Sequence, residues 1–364
     1  MFTDNYGLYI RRSGHPLGFS TVLASMIILS QVAIADKPYR EEILFSSGEF
    51  QLVGELRLPD GDGPFPTVIF VHGDGPNDRT AGVTYPPLME VMKSSGYATF
   101  AWDKPGTAES TGEFIHGFVQ RERAQIVLDA ISVLQQRPDI DPEMIGLWGI
   151  SQGGYVMPRV IQATDDIAFM IAVSCPGESG CEQCAYLLAA QAVCLGLPED
   201  ERQGVEEILS SAARAQNYVD YAVIKNRLQD YPEVMALAES GVIVGVRPEE
   251  EWEVDELNSE YFWDPMEVIE QSTIPILAVF GGRDTQADPI QGSEAYTEAL
   301  EHAGNTLSRI VFIPETDHNI IFAVTGSLME RAQRSMQAWT DYSPEYLAVL
   351  EDWLISLRNQ NTAM

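Results

Sequence analysis

The stretch Met144-Ile145-Gly146-Leu147-Trp148-Gly149-Ile150-Ser151-Gln152-Gly153 joins an apolar run to a serine flanked by glycines. Met144–Trp148 has the continuous apolar pattern of a strand buried on both faces. Gly153–Ala163 reads as a helix. A serine between glycines at a strand-to-helix junction is the context of a nucleophile elbow. The glycines are needed because the turn is tight, and side chains beside the serine would clash with the neighbouring strand and helix. Such a turn lifts the Ser151 hydroxyl above the sheet edge. It also aims the N–H groups at the helix start into the same space.

Outward from the elbow the pattern repeats. Glu42–Ser46 and Phe50–Leu58 read as strands around the turn Ser47-Gly48-Glu49. Thr67–Val71, Tyr97–Trp102, Ile167–Val173, Ile276–Phe280 and Ser308–Ile313 are further short apolar runs. Helices fit between them. Val127, Ala130, Ile131 and Leu134 recur at helical spacing within 118–136, another helix fits Pro289–Ala303, and a last one follows Ser343-Pro344 with the stripe Tyr346, Leu350, Trp353, Leu354 and Leu357. Strand–helix alternation predicts an α/β fold with a mainly parallel sheet and helices on both faces. From Cys175 to Ser272 the alternation stops and the sequence turns polar, acidic and helix-like. The expected organisation is a core of 36–174 and 273–364 with a helical cap, 175–272, inserted into it.

A serine hydroxyl needs a base, and the base needs an orienting acid. Beyond residue 35 the histidines are His72, His116, His302 and His318. In this fold the chain order is serine, acid, histidine, and only His302 and His318 follow Ser151. His302 falls within a predicted helix. His318 lies in the polar loop Glu315-Thr316-Asp317-His318-Asn319 after a strand, where sites of open α/β sheets form. Asp284 follows Phe280 through Gly281-Gly282-Arg283; Asp288 is the alternative acid, and Asp317 adjoins the histidine. Backbone N–H groups of Asp74, in Val71-His72-Gly73-Asp74-Gly75-Pro76, and of Gln152 are the expected oxyanion donors. The Asp74 carboxylate should turn away from the developing charge, toward Arg79. His72 reads as a structural loop residue.

Together these residues resemble the α/β-hydrolase superfamily, and within it the dienelactone-hydrolase and prolyl-oligopeptidase-like esterases. The resemblance rests on Leu52-Val53-Gly54-Glu55-Leu56, His72–Arg79, Trp102–Ser110, the elbow, Phe262-Trp263-Asp264-Pro265, Gly281–Asp284 and Asp317-His318, and covers roughly residues 40–360. It implies an eight-stranded sheet and a carboxylesterase in which Ser151 attacks a small acyl ester, His318 shuttles the proton and Asp284 orients it. No metal or organic cofactor is implied. Asp74 stands where similar proteins have a small residue, and Pro105 and Ala108 where they have glycine. Peptidase or thioesterase action on the same triad, or a non-catalytic binding protein on the same scaffold, are the alternatives. Trp252, Tyr261, Phe262 and Trp263 either line an acyl pocket or pin the cap to the core.

At the other extreme of the chain, Arg11-Arg12 precede the apolar stretch Leu17–Ala35, which ends in Ala33-Ile34-Ala35 before Asp36. This reads as a signal peptide cleaved after Ala35, with an uncleaved anchor as the alternative. It implies a periplasmic or secreted protein with no stable membrane association once cleaved. The formal net charge of −32 repels nucleic acid and anionic membranes and suits salty surroundings. Cys175, Cys181, Cys184 and Cys194 suggest one or two disulfides in an oxidising compartment, with the pairing open.

Overall fold

A computed structural model describes residues 39–115, 117, 119–215, 217–239 and 258–361. The expected signal segment, His116 and Trp252 lie outside them. Eight strands form one sheet: β1 (Arg40–Ser47), β2 (Phe50–Arg57), β3 (Phe65–Val71), β4 (Ala98–Trp102), β5 (Ile140–Ile150), β6 (Phe169–Val173), β7 (Ile276–Gly281) and β8 (Arg309–Ile313). Their spatial order is β1-β2-β4-β3-β5-β6-β7-β8. Only β2 runs against its neighbours, and from β4 to β8 every pairing is parallel. This is the mainly parallel sheet that the alternation predicts, with the eight strands that the resemblance to α/β-hydrolases implies.

Successive strand residues point to opposite faces, and each face is covered by helices. Ile69 and Val71 of β3 belong to the core packed by α2 (Gln120–Gln135), α3 (Gly153–Ala163) and α10 (Pro289–His302). Val68 and Phe70 belong to the opposite core, with α1 (Tyr85–Ser94) and α12 (Pro344–Asn361). The α12 stripe from Tyr346 to Leu357 is buried as its spacing predicts. The sequence reading passed over α1, although Tyr85, Leu88, Met89 and Met92 stand at helical spacing. Prolines at its first turn obscure it, and they are tolerated there because those N–H groups have no helical acceptor.

Between β6 and β7 lie α4 (Gly180–Leu195), α5 (Arg202–Ala213), α6 (Tyr218–Arg227), α7 (Pro232–Glu239), α8 (Asn258–Tyr261) and α9 (Met266–Ile269). Ala189, Ala192, Leu197, Val205, Ile208, Leu228, Val234 and Leu237 form an apolar cluster of their own. Met266 and Ile269, by contrast, pack into the core beneath the sheet. The chain therefore rejoins the core before Ser272.

All four cysteines carry free thiols, against the expected disulfides. Cys175 is buried just after β6, and a Cβ on Gly154 would lie 2.6 Å from its own Cβ. Cys194 lies ten residues beyond Cys184 along α4, about 15 Å at 1.5 Å per residue, far outside bridging distance.

Candidate active site

β5 runs out at Ile150 and Ser151 follows with φ +56°, a left-handed conformation uncommon for a residue with a side chain. The turn is held by Ser151 N donating to Val173 O at 3.1 Å and Gly154 N donating to Ser151 O at 2.8 Å. A Cβ on Gly153 would lie 2.9 Å from the carbonyl oxygen of Val71. The elbow glycine is thus demanded by the backbone of β3.

On the acid side, Asp284 N donates to Gly281 O at 3.0 Å, closing the turn after β7. A Cβ on Gly281 would lie 2.3 Å from Asp317 O, so glycine lets the acid turn and the histidine loop touch. Asp284 is buried. Its Oδ1 accepts from the N–H groups of Gln286 (2.7 Å) and Ala287 (3.1 Å). Its Oδ2 lies 2.7 Å from His318 Nδ1. An ionised carboxylate accepts only, so this contact assigns the proton to Nδ1 and leaves the Nε2 lone pair free. His318 is itself buried.

The alternative groups are engaged elsewhere. Asp288 caps α10 by accepting from the N–H groups of Ile290 and Gln291. Asp317 accepts from Asn319 N and, at 2.6 Å, from Arg334 Nη1. His302 is exposed on α10, 3.8 Å from Glu270. His72 is buried, with Nε2 2.6 Å from Trp102 O and Nδ1 3.0 Å from Tyr85 Oη. A carbonyl only accepts, so Nε2 carries the proton and Nδ1 accepts from the tyrosine hydroxyl. Both ring nitrogens are occupied, which leaves none for chemistry.

Burial pushes the His72 imidazole down to about 3, with Lys104 acting in the same direction. A histidine with a depressed folded pKa takes up its proton more readily when unfolded, so its contribution falls as pH drops below about 6.5. Urea unfolding of wild-type and His72→Asn protein between pH 7 and pH 4 is expected to separate them. The wild-type should lose about 1.4 kcal/mol more per pH unit below the unfolded value. Parallel profiles would contradict a neutral buried imidazole.

Gly73 packs against the elbow: a Cβ there would lie 3.4 Å from Ser151 Cβ. Next to it, the N–H groups of Asp74 and Gln152 donate to no protein acceptor among the described residues. The Asp74 side chain does not turn to Arg79. Arg79 instead serves Asp103, Glu109 and Glu42, because the fully buried Asp103 needs a cation more than an exposed aspartate does. The charges acting with Asp74 are Lys104 and Arg123. Ala108 has φ +47°, so it holds a backbone conformation suited to the glycine found there in similar proteins.

Ser151, His318, Gly73, Asp74 and Gln286 line one cleft of roughly 460 Å³. Its far wall is Arg331, Met336, Trp339 and Tyr342, from the segment after β8 that includes α11 (Leu328–Ala332). The sequence reading missed this wall, since one short helix in a polar stretch has no sustained period. Tyr261, Phe262 and Trp263 do not line the cleft. Trp263 lies under the Arg159 guanidinium at 3.9 Å and Phe262 faces Arg214 at 5.2 Å. Arg159 of α3 also pairs with Glu260 at 3.0 Å, so Trp263 and Glu260 fasten this segment to the core, while Phe262 packs within the insertion.

Residues 63–323 match the model of the serine aminopeptidase S33 family, Hydrolase_4. The chain belongs to this α/β-hydrolase family. It is 26% identical over 282 residues to Esterase EstD of Thermotoga maritima, covering 74% of this chain and 58% of that protein. The chain thus spans under two thirds of that relative's length. It is 29% identical over 119 residues to Thiohydrolase aneE of Aspergillus aculeatus, covering 33% of this chain and 36% of that one. Among solved structures, an esterase of Pyrococcus furiosus superposes with TM-score 0.52 at 16% identity, over 88% of this chain and 91% of that one. Est1E of Butyrivibrio proteoclasticus, with ferulic acid bound, gives 0.52 at 14% identity, over 88% and 100%. These structures share its fold. Among the described residues no helix is long and apolar enough to cross a membrane.

Proposed function

We propose that this family member is a serine esterase that hydrolyses a small carboxylic ester through Ser151, His318 and Asp284. The observation that carries the reading is the buried 2.7 Å contact between Asp284 and His318, opening on the same cleft as Ser151. His318 Nε2 takes the Ser151 proton as its oxygen attacks the carbonyl. The N–H groups of Asp74 and Gln152 receive the oxyanion. His318 then returns the proton to the leaving alkoxide, and water repeats the sequence on the acyl-enzyme. Similarity to Esterase EstD over most of this chain supports esters as the substrate class.

Aminopeptidase action is the second reading, favoured by the description of the matching family. A fluorophosphonate probe is expected to label Ser151 in the folded protein. p-Nitrophenyl esters of short acids should turn over far faster than aminoacyl p-nitroanilides. Absence of labelling would end the hydrolase reading, and faster anilide cleavage would replace the esterase with a peptidase.

A further inference from the structure

Behind the loop that supplies the Asp74 N–H sit two basic side chains that the triad does not use, Lys104 buried and Arg123 half-buried. Lys104, just beyond β4, donates from Nζ to Gly73 O at 2.6 Å and to Gly75 O at 2.7 Å. Arg123, in the first turn of α2, donates to Gln152 Oε1 at 2.9 Å, to Gly73 O at 3.3 Å and to His72 O. Asn77 Nδ2 holds the remaining carbonyl, Asp74 O, at 2.7 Å. Every carbonyl from His72 to Gly75 is therefore gripped by a side chain.

We propose that Lys104 and Arg123 are positioning residues that set the oxyanion hole. The argument is one of peptide geometry and rests on the esterase reading above. In a trans peptide the C=O and N–H point in opposite directions. Drawing the Gly73 carbonyl toward Lys104 and Arg123 turns the Asp74 N–H the opposite way within that peptide plane. Gly73 and Asp74 line the Ser151 cleft. Arg123 also grips the side chain of Gln152, the residue carrying the second N–H, so one guanidinium ties both donors together. The Arg123 guanidinium on the Gly73 carbonyl oxygen further polarises that peptide, which strengthens its N–H as a donor.

Pairing does not explain these residues. The chain carries 54 acidic residues, yet among the described residues neither Lys104 nor Arg123 has an ion-pair partner within 4 Å. Burial disfavours both charged forms, and Asp74 favours them only from beyond ion-pair distance, whereas a buried charge is ordinarily paired directly. Here the donors are directed at the backbone of one loop. Aimed in advance, that N–H loses little to reorganisation as the charge develops.

The test uses full-length Lys104→Met, of matched length and without donors, and Arg123→Lys, which keeps charge but loses the fork that spans both donors. Each is assayed for kcat and KM on a p-nitrophenyl ester. Each is also assayed for inhibition by a trifluoromethyl ketone, whose adduct with Ser151 places an oxyanion in the hole. Removing one donor outright costs about 10²–10³ in rate. A misaimed donor should lower kcat about 10- to 100-fold while KM moves less than about threefold, with the ketone Ki rising in parallel. A merely structural role would lower the melting temperature without that parallel. Folded variants that keep wild-type kcat and Ki, or lose only KM, would overturn the proposal. Should Lys104→Met fail to fold, Arg123→Lys decides by the same criteria. A wild-type protein that neither cleaves the ester nor takes the fluorophosphonate refutes the esterase reading itself, and this inference with it.

Discussion

Ser151→Ala is expected to lower short-chain ester turnover by at least about 10³, with the melting temperature unchanged or raised. The substitution removes the oxygen that attacks and nothing that holds the elbow. The turn is maintained by backbone bonds from Ser151 N to Val173 O and from Gly154 N to Ser151 O, and alanine keeps both. The β-carbon also stays in place, so the φ of +56° costs the variant about what it costs the wild-type. What remains is a cleft that binds ester and polarises its carbonyl without forming an acyl-enzyme. Steady-state hydrolysis of p-nitrophenyl acetate, with thermal melts on the same samples, makes the measurement. A variant as active as the parent would remove Ser151 as nucleophile.

Asp284→Asn is expected to lower kcat by about 10⁴ at neutral pH, the size seen when a triad histidine is held in the wrong tautomer. The geometry here shows why the loss should be so large. Oδ1 of Asp284 is committed to the N–H groups of Gln286 and Ala287. An asparagine must keep its oxygen at that position, because an NH₂ group would meet two donors. Its NH₂ then faces His318 Nδ1, which the carboxylate now contacts at 2.7 Å. The imidazole must accept there and carry its proton on Nε2, where the serine proton has to go. The backbone bonds persist, so the variant should fold. Activity within tenfold of the wild-type, in protein with an unchanged circular dichroism spectrum, would show that Asp284 does not orient the base.

Much of this site is legible along the chain because each candidate follows an apolar strand at a short turn, glycine-containing for Ser151 and Asp284 and polar for His318. Ser151 follows β5, Asp284 follows β7, and His318 comes five residues after β8. Strand ends in a parallel sheet lie along one edge, so loops distant in sequence become neighbours by topology alone. The rejected residues are legible for the same reason. His302 falls inside a helical pattern, and Asp288 precedes a proline that marks a helix start.

What stays hidden is contact between side chains and main-chain carbonyls. Every residue has the same carbonyl, so nothing in the sequence marks Gly73 O as the target of Lys104 and Arg123, 31 and 50 residues away. The partner of Arg79 is hidden likewise, since the choice among nearby acids depends on which one the fold has buried. Local pattern therefore determined the sheet, its order of elements and the three residues proposed to react, because period and turn chemistry are properties of neighbouring residues. Only the tertiary structure decided which wall closes the cleft, which aromatic fastens the insertion, and which basic side chains grip the oxyanion loop. Those outcomes follow from burial and distance across the fold.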